Sequence, residues 1–122
     1  MEGLIDGRDI GLDLALRVLA AVREEAARTG LLFAGCVTDR GGHPVATMRM
    51  DGAPLGALPI AIDKAYTSAL WGASTGSMAE PSLPGNGDWG FANTVGGRMV
   101  VFAGGLPIFA GGAQVGALGL SG

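Results

Sequence analysis

Asp39-Arg40-Gly41-Gly42-His43 leads through an alternating run to Arg49-Met50-Asp51-Gly52-Ala53-Pro54. Near the end, Gly104-Gly105-Leu106-Pro107-Ile108 leads to Val115-Gly116-Ala117-Leu118-Gly119-Leu120-Ser121-Gly122. Each stretch reads as an apolar strand, a glycine turn and a returning strand. Glycine is the residue that reaches the positive backbone angles of such turns without a steric cost. Two hairpins of one small sheet follow, and the rest of the chain is read as what packs on them.

Before the first turn, residues 31–38 are mostly apolar, which predicts a strand buried on both faces. After it, residues 44–50 alternate, with Val45, Thr47 and Arg49 on one side and Ala46, Met48 and Met50 on the other. Three strands are predicted to close the chain, at 98–103, 107–110 and 114–120, with Gly111-Gly112 as the last turn. Helical spacing of Leu12, Ala15, Leu16, Leu19, Val22 and Ala26 predicts a helix over 9–28. Asp9 is suited to cap its start and Gly30 to end it. A second helix is predicted over 58–71, with a close-packing face of Ile60, Ala61, Ala65, Ser68 and Ala69, ended by Gly72. Ser74 is suited to cap a short helical turn after it. The order helix, two strands, helix, three strands predicts an α+β domain, a mostly antiparallel five-stranded sheet with helices packed on it.

The chain has 122 residues, enough for one domain with a core. Only 16% of them are charged while 48% are hydrophobic, so part of the surface is expected to be buried against other copies. The net charge of −3 and the dispersed arginines give nucleic acid no electrostatic footprint. The sequence shows no membrane-spanning run and no signal-peptide pattern, which leads to a cytoplasmic expectation. One cysteine, Cys36, excludes an intrachain disulfide and falls in a predicted core strand.

The candidate site residues each carry two readings. Lys64, the single lysine, lies among small apolar residues and must find a carboxylate, an anionic ligand or solvent. Asp51 and Asp63 are available as ion-pair partners; desolvated, Lys64 would serve as a base or an amine nucleophile. Arg49 and Asp51 share a face at a strand end. They either close that end as a salt bridge or form a clamp in which Arg49 holds a carboxylate and Asp51 orients it. His43, the single histidine, is either a solvent-exposed turn residue or, at a subunit interface, a haem ligand or general base.

Residues 81–97 form a long irregular segment with Asp88, Trp89 and Phe91, read as a lid whose aromatics close over a flat ligand or plug a neighbouring subunit. Asp88 is a turn residue or a catalytic carboxylate. Gly85-Asn86-Gly87-Asp88-Trp89-Gly90 spells a dinucleotide-binding pattern, but no strand feeds it and Pro84 precedes it. No Ser-His-Asp triad, phosphate loop or metal cluster is present in the pattern.

Asp39, Gly42, Arg49-Met50-Asp51-Gly52-Ala53, Ala61, Lys64, Ala65, Thr75, Gly104-Gly105, Pro107, Ile108, Val115, Gly116, Gly119, Ser121 and Gly122, in this order and spacing, resemble the GlcG/HbpS-like family. The resemblance covers most of residues 1–122, read as a single domain. It implies a profilin-like fold and a homo-oligomer of the hexamer or octamer class. It also implies a binding role, with haem or another planar anionic ligand held in pockets between subunits, and it adds Thr75 to the ligand-binding set of Arg49, His43, Trp89, Phe91 and Asp88. Family members continue past the Ser-Gly into a helix for which this sequence has no residues, so sheet surface is expected to be exposed or left to a partner chain. The alternative is a cofactor-independent enzyme for isomerisation, hydration or cyclisation of a small carboxylate, with Lys64 and Asp51 as acid and base.

Overall fold

A computed structural model describes residues 2–122. Helix α1 (Leu12–Thr29) precedes strands β1 (Ala34–Thr38) and β2 (Pro44–Arg49), helix α2 (Ala57–Trp71) follows, and β3 (Gly105–Ala110) and β4 (Ala113–Ser121) close the chain. The sheet is antiparallel throughout, in the order β2-β1-β4-β3, so the two hairpins meet at the β1–β4 seam. Both turns rest on glycine. Gly42 has φ +81°, and Gly111 and Gly112 have φ +58° and +81°.

The sheet has four strands among the described residues, not five. Residues 98–103 are irregular, although Val100, Val101 and Phe102 suit a strand. They lie over α2 instead of joining the edge beside β3. Val100 N donates to Thr67 Oγ1 at 3.0 Å, and the buried Met99 sulfur accepts from Trp71 Nε1 at 3.1 Å. Side chains of α2 thus satisfy this segment where a ladder was expected.

The two faces of the sheet are packed differently. On one, α2 crosses all four strands. Its buried Ala61, Ala65 and Ser68 meet glycines on the strands beneath, and Ala57 packs on Ala34. The Gly105–Gly119 pair lies directly under the helix: a Cβ on Gly105 would come within 2.6 Å of Lys64 O and 2.7 Å of Ser68 Oγ. Small residues on both sides let two backbones approach closely. Gln114 Nε2 donates to Ala69 O at 2.9 Å and fixes the far end of the helix.

On the other face, α1 covers β1 and β2 alone. Ala15 and Leu19 pack there with Val37, Ala46 and Met48. Ile10, from the stretch before α1, reaches β4, its N–H bonded to Val115 O at 2.9 Å. Leu12 and Leu16, expected on the buried stripe, are half exposed, as are Leu106 and Phe109 on β3. Asp9 does not cap α1; Gly11 holds that position without a side-chain bond, and Asp9 pairs with Arg40. Arg40 in turn holds the Asp9 carboxyl below its ordinary value. Gly30 and Gly72 end the helices in left-handed geometry, and Ser74 accepts from Ser77 N, as the sequence leads one to expect. Cys36 is buried in β1, and desolvation pushes its thiol up to about 11.

Candidate functional site

The expected site residues fall into four separate places. The first is the β1–β2 turn. Asp39 accepts at Oδ1 from Gly41 N at 2.9 Å and His43 N at 3.0 Å, so the backbone of the turn fixes its carboxylate. Both carboxylate oxygens lie 3.1 Å from His43 Nδ1. A carboxylate only accepts, so Nδ1 carries a proton, and in the neutral ring the lone pair is then on Nε2. The His43 side chain is 80% exposed, and Nε2 has no partner among the described residues. Gly42 lies against the Tyr66 ring of α2, where a Cβ would come 2.5 Å from a ring carbon. The Arg98 guanidinium sits 3.6 Å from the centroid of that ring and pairs with Asp63 at 2.9 Å. These contacts anchor the His43 turn to α2.

The second place is the opposite end of β2. Arg49 and Asp51 line one groove of about 460 Å³ with Met48, Met50, Arg23 and Ala27. No salt bridge joins Arg49 to Asp51 among the described residues, so the strand end is not closed by that pair. Arg23, on α1, had no sequence signal tying it to Arg49; only the docking of α1 on β2 joins them. Six residue steps along β2 lead from His43 to Arg49, a backbone span of about 20 Å, so the two lie at opposite ends of the strand.

The third place is under α2. Lys64 is 5% exposed and pairs with neither Asp51 nor Asp63. Its Nζ donates to Leu120 O at 2.9 Å and lies 4.8 Å from the Phe102 ring centroid. Gly104, at φ +133°, makes the room, since a Cβ there would come 2.5 Å from Nζ. The ammonium thus fastens the end of β4 to α2, and the groove lined by Asp51 does not include it. Thr75 is buried nearby, its Oγ1 accepting from Gly105 N at 2.8 Å. In this chain it faces backbone, not an opening.

Burial without an anionic partner lowers the Lys64 pKa from its ordinary 10.5. Between the lowered value and 10.5 the unfolded chain binds more protons, so this group makes stability rise with pH across that window. Cys36 opposes it: its raised thiol makes stability fall above 9.0, its ordinary value. The difference between wild type and Lys64→Met removes the shared cysteine contribution. Urea midpoints should move in favour of the wild type as pH climbs toward 10.5, and a constant difference would show that the lysine is not desolvated.

The fourth place is the segment after α2. The Phe91 ring packs edge-on against Trp71 at 5.3 Å. Trp89 is 69% exposed and Asp88 is exposed beside it. The two aromatics of the expected lid are thus split, one tethered and one presented outward.

Known proteins share this fold. The model of the family described as haem degrading protein HbpS-like matches residues 10–122. An uncharacterized 15.0 kDa protein from the dhaT-dhaS intergenic region of Citrobacter freundii is 33% identical over 113 residues, 93% of this chain and 80% of that protein. Among solved structures, the Klebsiella pneumoniae protein ORFY superposes with a TM-score of 0.97 at 30% identity, over 100% of this chain and 84% of that one. A PduOC:haem complex superposes with a TM-score of 0.88 at 25% identity, over 93% of this chain and 83% of that one. No helix among the described residues is long and apolar enough to cross a membrane. With the motif order, the four-stranded antiparallel fold and these matches in agreement, the chain belongs to the HbpS-like family.

Proposed function

We propose that this protein binds a haem-type tetrapyrrole between two copies of itself, with His43 as the iron ligand. The observation that carries the reading is the Asp39–His43 pair: Nδ1 is held by a carboxylate that the turn itself fixes, and Nε2 is presented outward. Metal-binding histidines characteristically use their second nitrogen in this way, which sets the tautomer and raises the basicity of the free nitrogen. A single imidazole suffices for an iron whose equatorial ligands come with the macrocycle. The donor set therefore fits the group.

The bound group would supply redox-active iron, while the chain supplies the imidazole, its orienting carboxylate and a turn anchored on Tyr66. His43 is exposed in the single chain, so a second copy supplies the other wall. The half-exposed Leu12, Leu16, Leu106 and Phe109 supply apolar area for such association. The family description and the haem complex of a relative at 25% identity support the same ligand class.

The test is a titration of the purified protein with haem, followed by absorption and native mass spectrometry. A saturable shift of the Soret band with a histidine-ligated spectrum, in an oligomer, is expected. A monomer that leaves the haem spectrum unchanged would remove the reading.

A further inference from the structure

Helix α2 holds Arg98 and the chain just after it. Arg98 Nε donates to Asp63 Oδ1 at 2.9 Å, and its guanidinium carbon lies 3.6 Å from the centroid of the Tyr66 ring. Thr67 Oγ1 accepts from Val100 N at 3.0 Å. Positions 63, 66 and 67 share one face of the helix, so α2 offers the guanidinium a carboxylate at its edge and a ring against its plane. The chain reaches this seat through a strained turn. Val95, Gly96 and Gly97 have φ of +51°, +66° and +77°, and Arg98 N closes the turn on Val95 O at 3.2 Å. Val95 is the one residue other than glycine with positive φ among the described residues, and a β-branched side chain is poorly suited to it. Such a backbone persists only where its surroundings over-determine it, and the anchored neighbour here is Arg98.

We infer that Tyr66 and Arg98 are positioning residues for the iron ligand: the ring that carries Arg98 is the support on which the His43 turn rests. The inference depends on His43 as the iron ligand. Gly42, buried at φ +81°, makes the contact, and a Cβ on it would come 2.5 Å from Tyr66 Cδ1 and 3.0 Å from Cε1. Asp39 sets the tautomer of His43, but its partners, Gly41 N, His43 N and His43 Nδ1, all belong to the turn itself. They cannot fix the direction of the turn relative to the helix. Arg40 ties the outer side of the turn to Asp9 through two exposed side chains, so the firm support is Tyr66. Arg98 keeps the ring in place by stacking on it from its own pair with Asp63. A group held between two copies needs Nε2 aimed at one place in the wall, and a pivoting turn adds an ordering cost to every binding event.

The chain has one histidine, so its imidazole signals and those of the turn are unambiguous by nuclear magnetic resonance. In the protein without haem, Tyr66→Leu and Arg98→Gln should lower the backbone order parameters of residues 41–43 from about 0.85 to below about 0.6. The imidazole nitrogen shifts should stay those of the Nδ1-protonated ring, because Asp39 is untouched. Haem should then bind about tenfold more weakly with the histidine-ligated spectrum retained. Tyr66→Phe, which keeps the ring, should match the wild type, and Arg98→Lys, which keeps the charge without the plane, should fall between. Lys64→Met removes a different tie of α2, to Leu120 O, and should leave both readings unchanged. The inference is overturned if folded Tyr66→Leu and Arg98→Gln keep an ordered turn, if the turn loosens with no loss of affinity, or if Lys64→Met has the same effect. Wild type that binds haem beside variants that match it removes this inference alone; wild type that leaves the haem spectrum unchanged removes the iron-ligand reading and this inference with it.

Discussion

Alanine at Gly119 is expected to destabilise the protein by about 3 kcal/mol or more, at the upper end of overpacking costs. Gly119 lies on β4 opposite Gly105, where α2 crosses the sheet. A Cβ there would overlap the Ala61 carbonyl oxygen and come 2.6 Å from Ala65 N. Both neighbours are helix backbone, so no side chain can rotate away. The helix would have to lift, yet Lys64 Nζ bonded to Leu120 O holds it within the contact and Gln114 Nε2 bonded to Ala69 O holds it one turn beyond. In thermal unfolding the expected drop is about 10 °C or more. Gly87→Ala is the matched control: nothing lies within 4 Å of the added Cβ, and its φ is not in the left-handed region. That change should leave the midpoint nearly unmoved or raise it slightly, since it only restricts the unfolded chain. A Gly119→Ala midpoint equal to that of Gly87→Ala would show that α2 does not rest on the glycine pair.

This dependence on backbone contact explains what could be read from the residues and what could not. The Gly41-Gly42 and Gly111-Gly112 turns, the caps Gly30 and Gly72 and, apart from the exposed Ile60, the small-residue face of α2 are local signals, and each is where the residues put it. The segment 98–103 carries strand-forming residues, but its hydrogen bonds go to Thr67 and Trp71, more than 25 positions away, and no local pattern announces that. The same holds for the site. Arg49 and Asp51 line one groove, but so do Met48 and Met50 of the opposite pleat, so alternation along the strand does not account for it. Arg23 enters it only through tertiary docking. Lys64 invited a carboxylate partner by its charge, and the nearest acid in sequence, Asp63, was already committed to Arg98 across 35 positions. A backbone carbonyl on the last strand took its place.

Removal of the His43 imidazole is expected to produce the largest functional change. His43→Ala should lower haem affinity about a hundredfold or more and abolish the histidine-ligated spectrum, with secondary structure intact because the side chain is 80% exposed. Free imidazole added to the variant should restore that spectrum, a rescue that a merely structural role for His43 would not allow. Asp39→Asn separates ligation from orientation. An asparagine carbonyl still accepts from Gly41 N and His43 N, so the turn survives, but the negative charge facing Nδ1 is gone. Loss of such an outer partner typically costs about 10- to 100-fold in metal affinity, so this variant should retain histidine ligation at reduced affinity. If His43→Ala binds haem with the wild-type spectrum, the iron ligand is elsewhere and the Asp39–His43 pair serves only the turn. The smaller effect of Asp39→Asn is then expected to vanish with it, because a carboxylate that orients nothing on the iron has no route to the affinity.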